Sequence, residues 1–223
     1  TDQDVLIYEE PDAGFFVSLD RTESHRYITI NCTAHDNTTE VHLIDADAPD
    51  EPAVVVAPRE TGISYSVYHR ADQLAIVTNA DDAEDFKIVT CPAESPARDS
   101  WRDLVPHQPG RLILGLSVFA DYIVRLERID ALPRLVVRNV NDGAESTIAF
   151  DEPAYNLSLF HDMPHHETVL RFSYSSMTTP LTVYDYDLTT GDRTQRKRQE
   201  VPSGHDPADY ITERLMATAP DGE

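Results

Sequence analysis

Three groups of residues in this 223-residue sequence have types and spacings that could do chemistry: serines beside glycines, a run of hydroxyls ending at a proline, and clustered histidines or acids. A serine nucleophile on a strand-to-helix elbow usually needs Gly-x-Ser-x-Gly, because the backbone must pass close to an exposed hydroxyl on both sides. Gly115-Leu116-Ser117-Val118-Phe119 has the first half only, and Gly62-Ile63-Ser64-Tyr65-Ser66 fails likewise. Ser117 is therefore expected to be a half-buried strand serine.

Tyr174-Ser175-Ser176-Met177-Thr178-Thr179-Pro180 gathers hydroxyls beside a proline that ends a strand, and it reads as a structured turn whose Ser and Thr side chains satisfy loose backbone groups. His161, His165 and His166 are close in sequence, but Asp162-Met163-Pro164 between them reads as a solvated turn, and the spacing matches no standard zinc pattern. The run Asp81-Asp82-Ala83-Glu84-Asp85 lacks the register and distal Glu of a calcium loop, so it reads as a solvated hairpin. Asn31-Cys32-Thr33, Asn37-Thr38-Thr39 and Asn156-Leu157-Ser158 fit the glycosylation pattern, which carries weight only in a secreted chain. Arg196-Lys197-Arg198 is too short and too outnumbered by acids for a nucleic-acid patch. No catalytic, cofactor-binding or metal-ligating residue is assigned, and no cofactor is expected.

Charge narrows the partners. Forty Asp and Glu against 18 Lys and Arg give a formal charge of −22, which repels a phosphate backbone or an anionic membrane surface. A peptide rich in Arg or Lys would be drawn to such a surface. Only Lys87 and Lys197 are lysines, a bias that genome composition or salt tolerance explains as readily as function. Cys32 and Cys91 are too few for a disulfide scaffold and sit among strand-forming neighbours, so they read as half-buried thiols in a reducing compartment. With no apolar run of membrane length and no visible signal peptide, the expected location is cytoplasmic. The start without methionine and the ending Asp221-Gly222-Glu223 read as cut edges.

The elements that must position these residues are strands. Short segments rich in Val, Ile, Tyr, Phe and Thr recur between Asp, Asn, Gly, Pro and Ser clusters, and alternation is visible in Arg26-Tyr27-Ile28-Thr29-Ile30 and Thr182-Val183-Tyr184-Asp185-Tyr186-Asp187. Strands that follow a polar turn repeat at Val41, Phe86, Leu135 and Val183, in steps of about 45, 49 and 48 residues, the range of propeller blades. The predicted strands are 15–19, 26–31, 40–45 and 53–57; 64–68, 74–78, 86–90 and 101–105; 112–116, 122–127, 134–139 and 146–150; and 156–160, 169–175, 181–187 and 194–199. Asn141-Asp142-Gly143 and Thr190-Gly191-Asp192 are hairpin signals, since Asn, Asp and Gly tolerate positive φ.

The expected fold is all-β, a β-propeller fragment of about four four-stranded antiparallel blades at residues 11–61, 62–108, 109–153 and 154–203. Residues 1–10 would be the outer strand of a preceding blade, and both Val5–Glu10 and Tyr210–Ala219 are predicted as strands severed from neighbours. A β-sandwich is the rival architecture, but it has no reason to repeat at this period.

Val5-Leu6-Ile7-Tyr8-Glu9-Glu10, Phe16-Val17-Ser18-Leu19 with Arg21-Thr22, and Thr39-Glu40-Val41 leading to Leu43-Ile44-Asp45-Ala46 carry a family resemblance. Ile148-Ala149-Phe150-Asp151-Glu152-Pro153-Ala154-Tyr155 and Tyr174-Ser175-Ser176-Met177-Thr178-Thr179-Pro180 strengthen it. Together they resemble the propeller of oligopeptidase B (protease II), a branch of the prolyl oligopeptidase family of serine peptidases. The resemblance implies a seven-bladed parent propeller capping an α/β-hydrolase domain, with hydrolysis of short peptides after Arg or Lys by a Ser-His-Asp triad. This chain would then hold roughly blades four to seven, with residues 204–223 at the start of the hydrolase domain; beside the structured-turn reading of Tyr174–Pro180 stands the alternative that this loop faces that domain and helps position it.

The resulting reading is a non-catalytic propeller portion that restricts substrate access in the parent enzyme and is inactive alone. Its partners would be the parent's hydrolase domain and short basic peptides, with no nucleic acid and no membrane, and its open edges would favour self-association. The alternative is a stand-alone propeller-like protein-interaction module.

Overall fold

A computed structural model describes residues 5–161, 163–218 and 220. Among these residues, sixteen strands form four antiparallel sheets of four, each in chain order, with consecutive sheets packed face to face. The first sheet is β1 (Phe15–Arg21), β2 (Tyr27–Ala34), β3 (Thr39–Asp45) and β4 (Val54–Val55). The second is β5 (Tyr65–Arg70), β6 (Gln73–Thr78), β7 (Lys87–Pro92) and β8 (Arg102–Val105). The third is β9 (Arg111–Val118), β10 (Tyr122–Ile129), β11 (Leu132–Asn139) and β12 (Glu145–Thr147), and the fourth is β13 (Tyr155–Leu159), β14 (Val169–Ser176), β15 (Thr182–Asp187) and β16 (Arg193–Arg198).

Three apolar layers hold the sheets together, because period-2 alternation sends every second side chain toward the next sheet. Val41 and Leu43 of the first sheet meet Tyr65, Leu74 and Ile76 of the second. Ala75, Val77 and Ile88 then meet Ile113, Leu116 and Val118 of the third, whose Val124, Leu135 and Val137 meet Leu157, Leu170 and Phe172 of the fourth. Leu74, Ile76, Ile88, Leu116, Leu135 and Leu170 are fully buried, each side chain contributing roughly 1.5–3 kcal/mol of transfer free energy.

Outer strands are shorter than their hydrophobic runs suggest. β4 stops at Val55 although Val56 still donates to the Val41 carbonyl, because Pro58 lacks an N–H and the chain turns toward the second sheet. Likewise β12 stops at Thr147 while Ile148 donates to Leu135. Val5–Glu10 and Tyr210–Thr218, expected as strands, form none here, since neither has a ladder partner; Ala219 lies outside the described residues. Tyr8 instead packs beside Ile30, Cys32 and Ile44, and Arg59 clasps Glu10 and Glu40, with guanidinium-to-carboxylate distances of 2.8 Å to each.

The two end faces of the stack differ in chemistry. Register places Val17, Leu19, Ile28, Ile30, Cys32, Ile44 and Val55, together with Arg21, Glu40 and His42, on the first sheet's face away from the second, where Leu19 is 71% exposed and Val17 46%. The far face of the fourth sheet carries Ser158, Ser173, Arg171, Asp185 and Lys197 instead. Strand direction sorts the connections as well. The loop after each first strand lies on one rim, whereas the β2–β3, β6–β7, β10–β11 and β14–β15 turns share the opposite rim with the crossovers between sheets.

Candidate functional site

On the crossover rim, Glu152 in the β12–β13 connection stands against the β14–β15 turn. Oε1 accepts hydrogen bonds from the hydroxyls of Ser176 at 2.5 Å and Thr212 at 3.4 Å and from that of Thr178, while Oε2 accepts from Thr179 at 2.9 Å and from Tyr174. Ser176 Oγ also accepts the amides of Thr178 at 3.1 Å and Thr179 at 2.8 Å. Burial alone would raise the pKa of this carboxyl, but the hydroxyls of Ser176, Thr178, Tyr174 and Thr179 lower it to about 2. The same contact, with burial foremost, pushes the Tyr174 phenol well above its usual range. A carboxylate offers about four lone-pair positions, and here they are occupied by neutral donors. Ionised and saturated, Glu152 is unsuited to exchange protons near neutral pH and suited to hold a loop.

On the other rim lies a cleft of about 510 Å³, lined by Asp20–Glu23 and His25 of the β1–β2 hairpin, by Ser66–Tyr68 of β5, and by His161, Met163 and Pro164. Glu23 sits at its wall with Oε2 buried and without a hydrogen-bond partner among the described residues. Burial, reinforced by the Asp20 charge, pushes its carboxyl up to about 7. Beside it, Ser24 Oγ and His69 Nδ1 are 2.6 Å apart. This pair resembles half of a nucleophilic device, but the Ser24 hydroxyl is shared with Thr22 Oγ1 at 3.1 Å and accepts the Arg26 amide at 3.3 Å. His69 is 4% exposed, and burial lowers its pKa. The pair joins the first sheet's hairpin to β5 and presents no hydroxyl to a substrate.

The other residues singled out by sequence are dispersed. Ser117 is 5% exposed rather than half-buried, with its hydroxyl unpartnered among the described residues, at the end of β9 that packs on the second sheet. Cys32 and Cys91 are fully buried, and burial raises both thiol pKa values, the latter to about 11. His165 places Nδ1 3.2 Å from the Val118 carbonyl, and the described residues include no group of three or more His, Cys, Asp or Glu that could hold a metal; Asp162 lies outside them. The acidic run is a tight turn with Asp81 and Asp82 at φ 59°, where Asp81 pairs with Lys87 and Arg98 and Asp85 accepts the Gly110 amide at 2.6 Å. Asn31 and Asn156 lie on strands β2 and β13, and Asn37 occupies a positive-φ turn. Arg196, Lys197 and Arg198 lie on the exposed edge strand β16, with Arg196 2.9 Å from Asp185. No helix among the described residues is long and apolar enough to cross a membrane.

The hydroxyl loop was visible in sequence, but its organiser was not. Glu152 precedes it by more than twenty residues and looks like any acid before a proline, and no local signal joins Glu23 to Tyr68 or Ser24 to His69.

Compared with known proteins, residues 1–199 match the family described as prolyl oligopeptidase, N-terminal beta-propeller domain. The chain is 38% identical over 221 residues to dipeptidyl aminopeptidase BI of Pseudoxanthomonas mexicana, covering 99% of this chain and 30% of that protein. It is 29% identical to protease 2 of Moraxella lacunata over 99% of this chain and 31% of the relative. Among solved structures, oligopeptidase B from Trypanosoma brucei with covalently bound antipain, in a closed form, superposes with a TM-score of 0.89 at 30% identity, covering all of this chain and 32% of the other. Oligopeptidase B from Leishmania major gives 0.88 at 29% identity, again over all of this chain and 32% of its own. The chain thus spans about a third of the length of the relatives it matches.

Proposed function

Because the chain belongs to the prolyl oligopeptidase family, matching its N-terminal propeller domain, we propose that it is a non-catalytic portion of the propeller of an oligopeptidase B-like serine peptidase that hydrolyses short peptides after Arg or Lys. The observation that carries this reading is the match along essentially the whole chain to one third of longer peptidases. In this reading the four sheets are the later blades of a larger ring, residues 1–10 belong to a preceding blade, and residues 204–223 begin the catalytic domain. Two features support it. The first sheet turns an apolar face outward where another blade would pack, and Tyr210, Ile211, Leu215 and Met216 are 56–85% exposed beyond the last sheet, where a following domain would cover them.

The role assigned to the propeller is to restrict which peptides reach the parent's active site by size. Its charge of −22 would concentrate cationic peptides at low ionic strength. The cytoplasmic setting belongs to the same proposal.

The test is an assay of the purified chain and of the longer parent on a short Arg-containing peptide. The parent is expected to cleave it and this chain to leave it intact. Hydrolysis by the purified chain would overturn the assignment of all chemistry to the remainder of the parent.

A further inference from the structure

The segment after β16 returns across the crossover rim from the fourth sheet to the third, with side-chain contacts at three places. His205 Nε2 lies 2.7 Å from the Thr178 carbonyl, and its ring stacks on Tyr210 at 5.2 Å. Thr212 donates to Glu152 Oε1 at 3.4 Å. Arg214 donates to the carbonyl of Asp130 in the β10–β11 turn, where Asp130 and Ala131 take φ 50° and 61°. That two-residue turn requires positive φ at both positions, a conformation natural to Asn-Gly and costly for Ala, and it aims the Asp130 carbonyl at the returning segment.

We propose that Glu152 is a positioning residue that latches the segment Gly204–Arg214 onto the propeller and so fixes the direction in which the chain leaves it. Glu152 joins three pieces of chain remote in sequence: the crossover between the third and fourth sheets, the β14–β15 turn, and the leaving segment. The hydroxyls of Tyr174, Ser176, Thr178 and Thr179 bond the ionised carboxylate at short, charge-assisted range and fix its orientation, and the Thr212 hydroxyl reaches the same carboxylate as a longer contact of 3.4 Å; bonds from neutral donors are directional but carry little long-range field. Such a joint keeps its geometry in salt, unlike a surface ion pair. The latch follows from these contacts alone; its purpose, to seat a following domain, rests on the proposed function.

Limited trypsin digestion of the 223-residue chain, followed by mass spectrometry, tests the latch by comparing cleavage after Arg214 with cleavage after Arg196, Lys197 and Arg198 of β16. Glu152→Ala and Thr212→Val are each expected to speed release of the piece beyond Arg214 at least about tenfold relative to β16 cleavage. Thr212→Val removes only the latch side of the contact and leaves the four hydroxyls of the sheet on Glu152, so it keeps the test decisive if Glu152→Ala folds poorly. Equal acceleration at all sites would reduce Glu152 to a general stabiliser, and no acceleration after Arg214 in Thr212→Val would remove the latch. Either result overturns the proposal and leaves the peptidase reading to its own hydrolysis assay.

Discussion

Tyr65 and Ala57 close the gap that β4 leaves. The Tyr65 hydroxyl donates to the Ala57 carbonyl at 2.6 Å, and the same oxygen accepts the amides of Val41 at 2.8 Å and Ala57 at 3.3 Å. A side chain from the second sheet thereby satisfies backbone groups of the first, where the ladder has already ended. Burial holds the phenol at a pKa of about 12, so it remains protonated and able to donate at any ordinary pH. Tyr65→Phe keeps the ring's contact with Trp101 but strands these buried groups. The expected cost is about 1–3 kcal/mol, read as a lower urea midpoint at unchanged m-value. A loss under about 0.5 kcal/mol would mean the groups find other partners.

Arg125 is the most deeply placed cation of the third sheet. It is 7% exposed and holds Glu127 at 2.7 Å and Glu145 at 2.8 Å. Arg125→Met leaves Glu127, itself 3% exposed, as an uncompensated buried charge, and is expected to cost roughly 3–5 kcal/mol. Adding Glu127→Leu should restore most of that loss, because Glu145 retains Arg138 at 3.0 Å and access to water. A double variant no more stable than the single one would refute this account of the cost.

Two opposite pH slopes are built into the fold. Glu10, through Arg59, and Glu152, through its hydroxyls, have carboxyls lowered from 4.5 to about 2. The unfolded chain therefore binds more protons between those values, and stability is lost as pH falls from about 4.5 toward 2. Glu23 does the reverse: with its carboxyl raised to about 7, the folded chain binds the extra proton, and stability is lost as pH rises from about 4.5 through 7. Thermal unfolding of Glu23→Gln at pH 5 and pH 8 should show a smaller fall between the two than the parent sequence shows. Parallel profiles would place the Glu23 carboxyl in ordinary solvent contact.

The outward face of the first sheet should make this chain self-associate. Val17, Leu19, Ile28 and Val55 lie on one face and are 36–71% exposed. Leu19→Glu puts a charge on that face, on the edge strand β1, without disturbing a buried contact, so light scattering should give a lower apparent mass than for the unsubstituted chain at equal concentration. A clean monomer for both would count against association through this face.

The strand count, the four-sheet grouping and the hairpin turns were legible in the sequence because each depends on local chemistry. Alternation of side chains decides which strand face is apolar, and Asn141-Asp142-Gly143 turns where Gly143 can take φ 72°. A repeat of about 45–49 residues then requires like units to stack. Where the outer strands stop was less legible: Ala53 to Ala57 and Ser146 to Phe150 have strand composition, but ladder length depends on where the crossover must leave for the next sheet. Val5–Glu10 and Tyr210–Thr218 have strand composition but form no strand here for the related reason that a strand exists only with a partner, which composition cannot supply.

By itself, then, the sequence determined the all-β repeat and the loop Tyr174–Pro180, since both are written in neighbouring residues. Only the tertiary structure decided that Glu152 is the acceptor those hydroxyls share, that Glu23 is walled into the cleft by β5, and that Ser24 meets His69. Each of these joins residues that are far apart along the chain and become neighbours only when sheets stack, because burial and hydrogen bonding act through space and respond to sequence distance only through the fold that closes it.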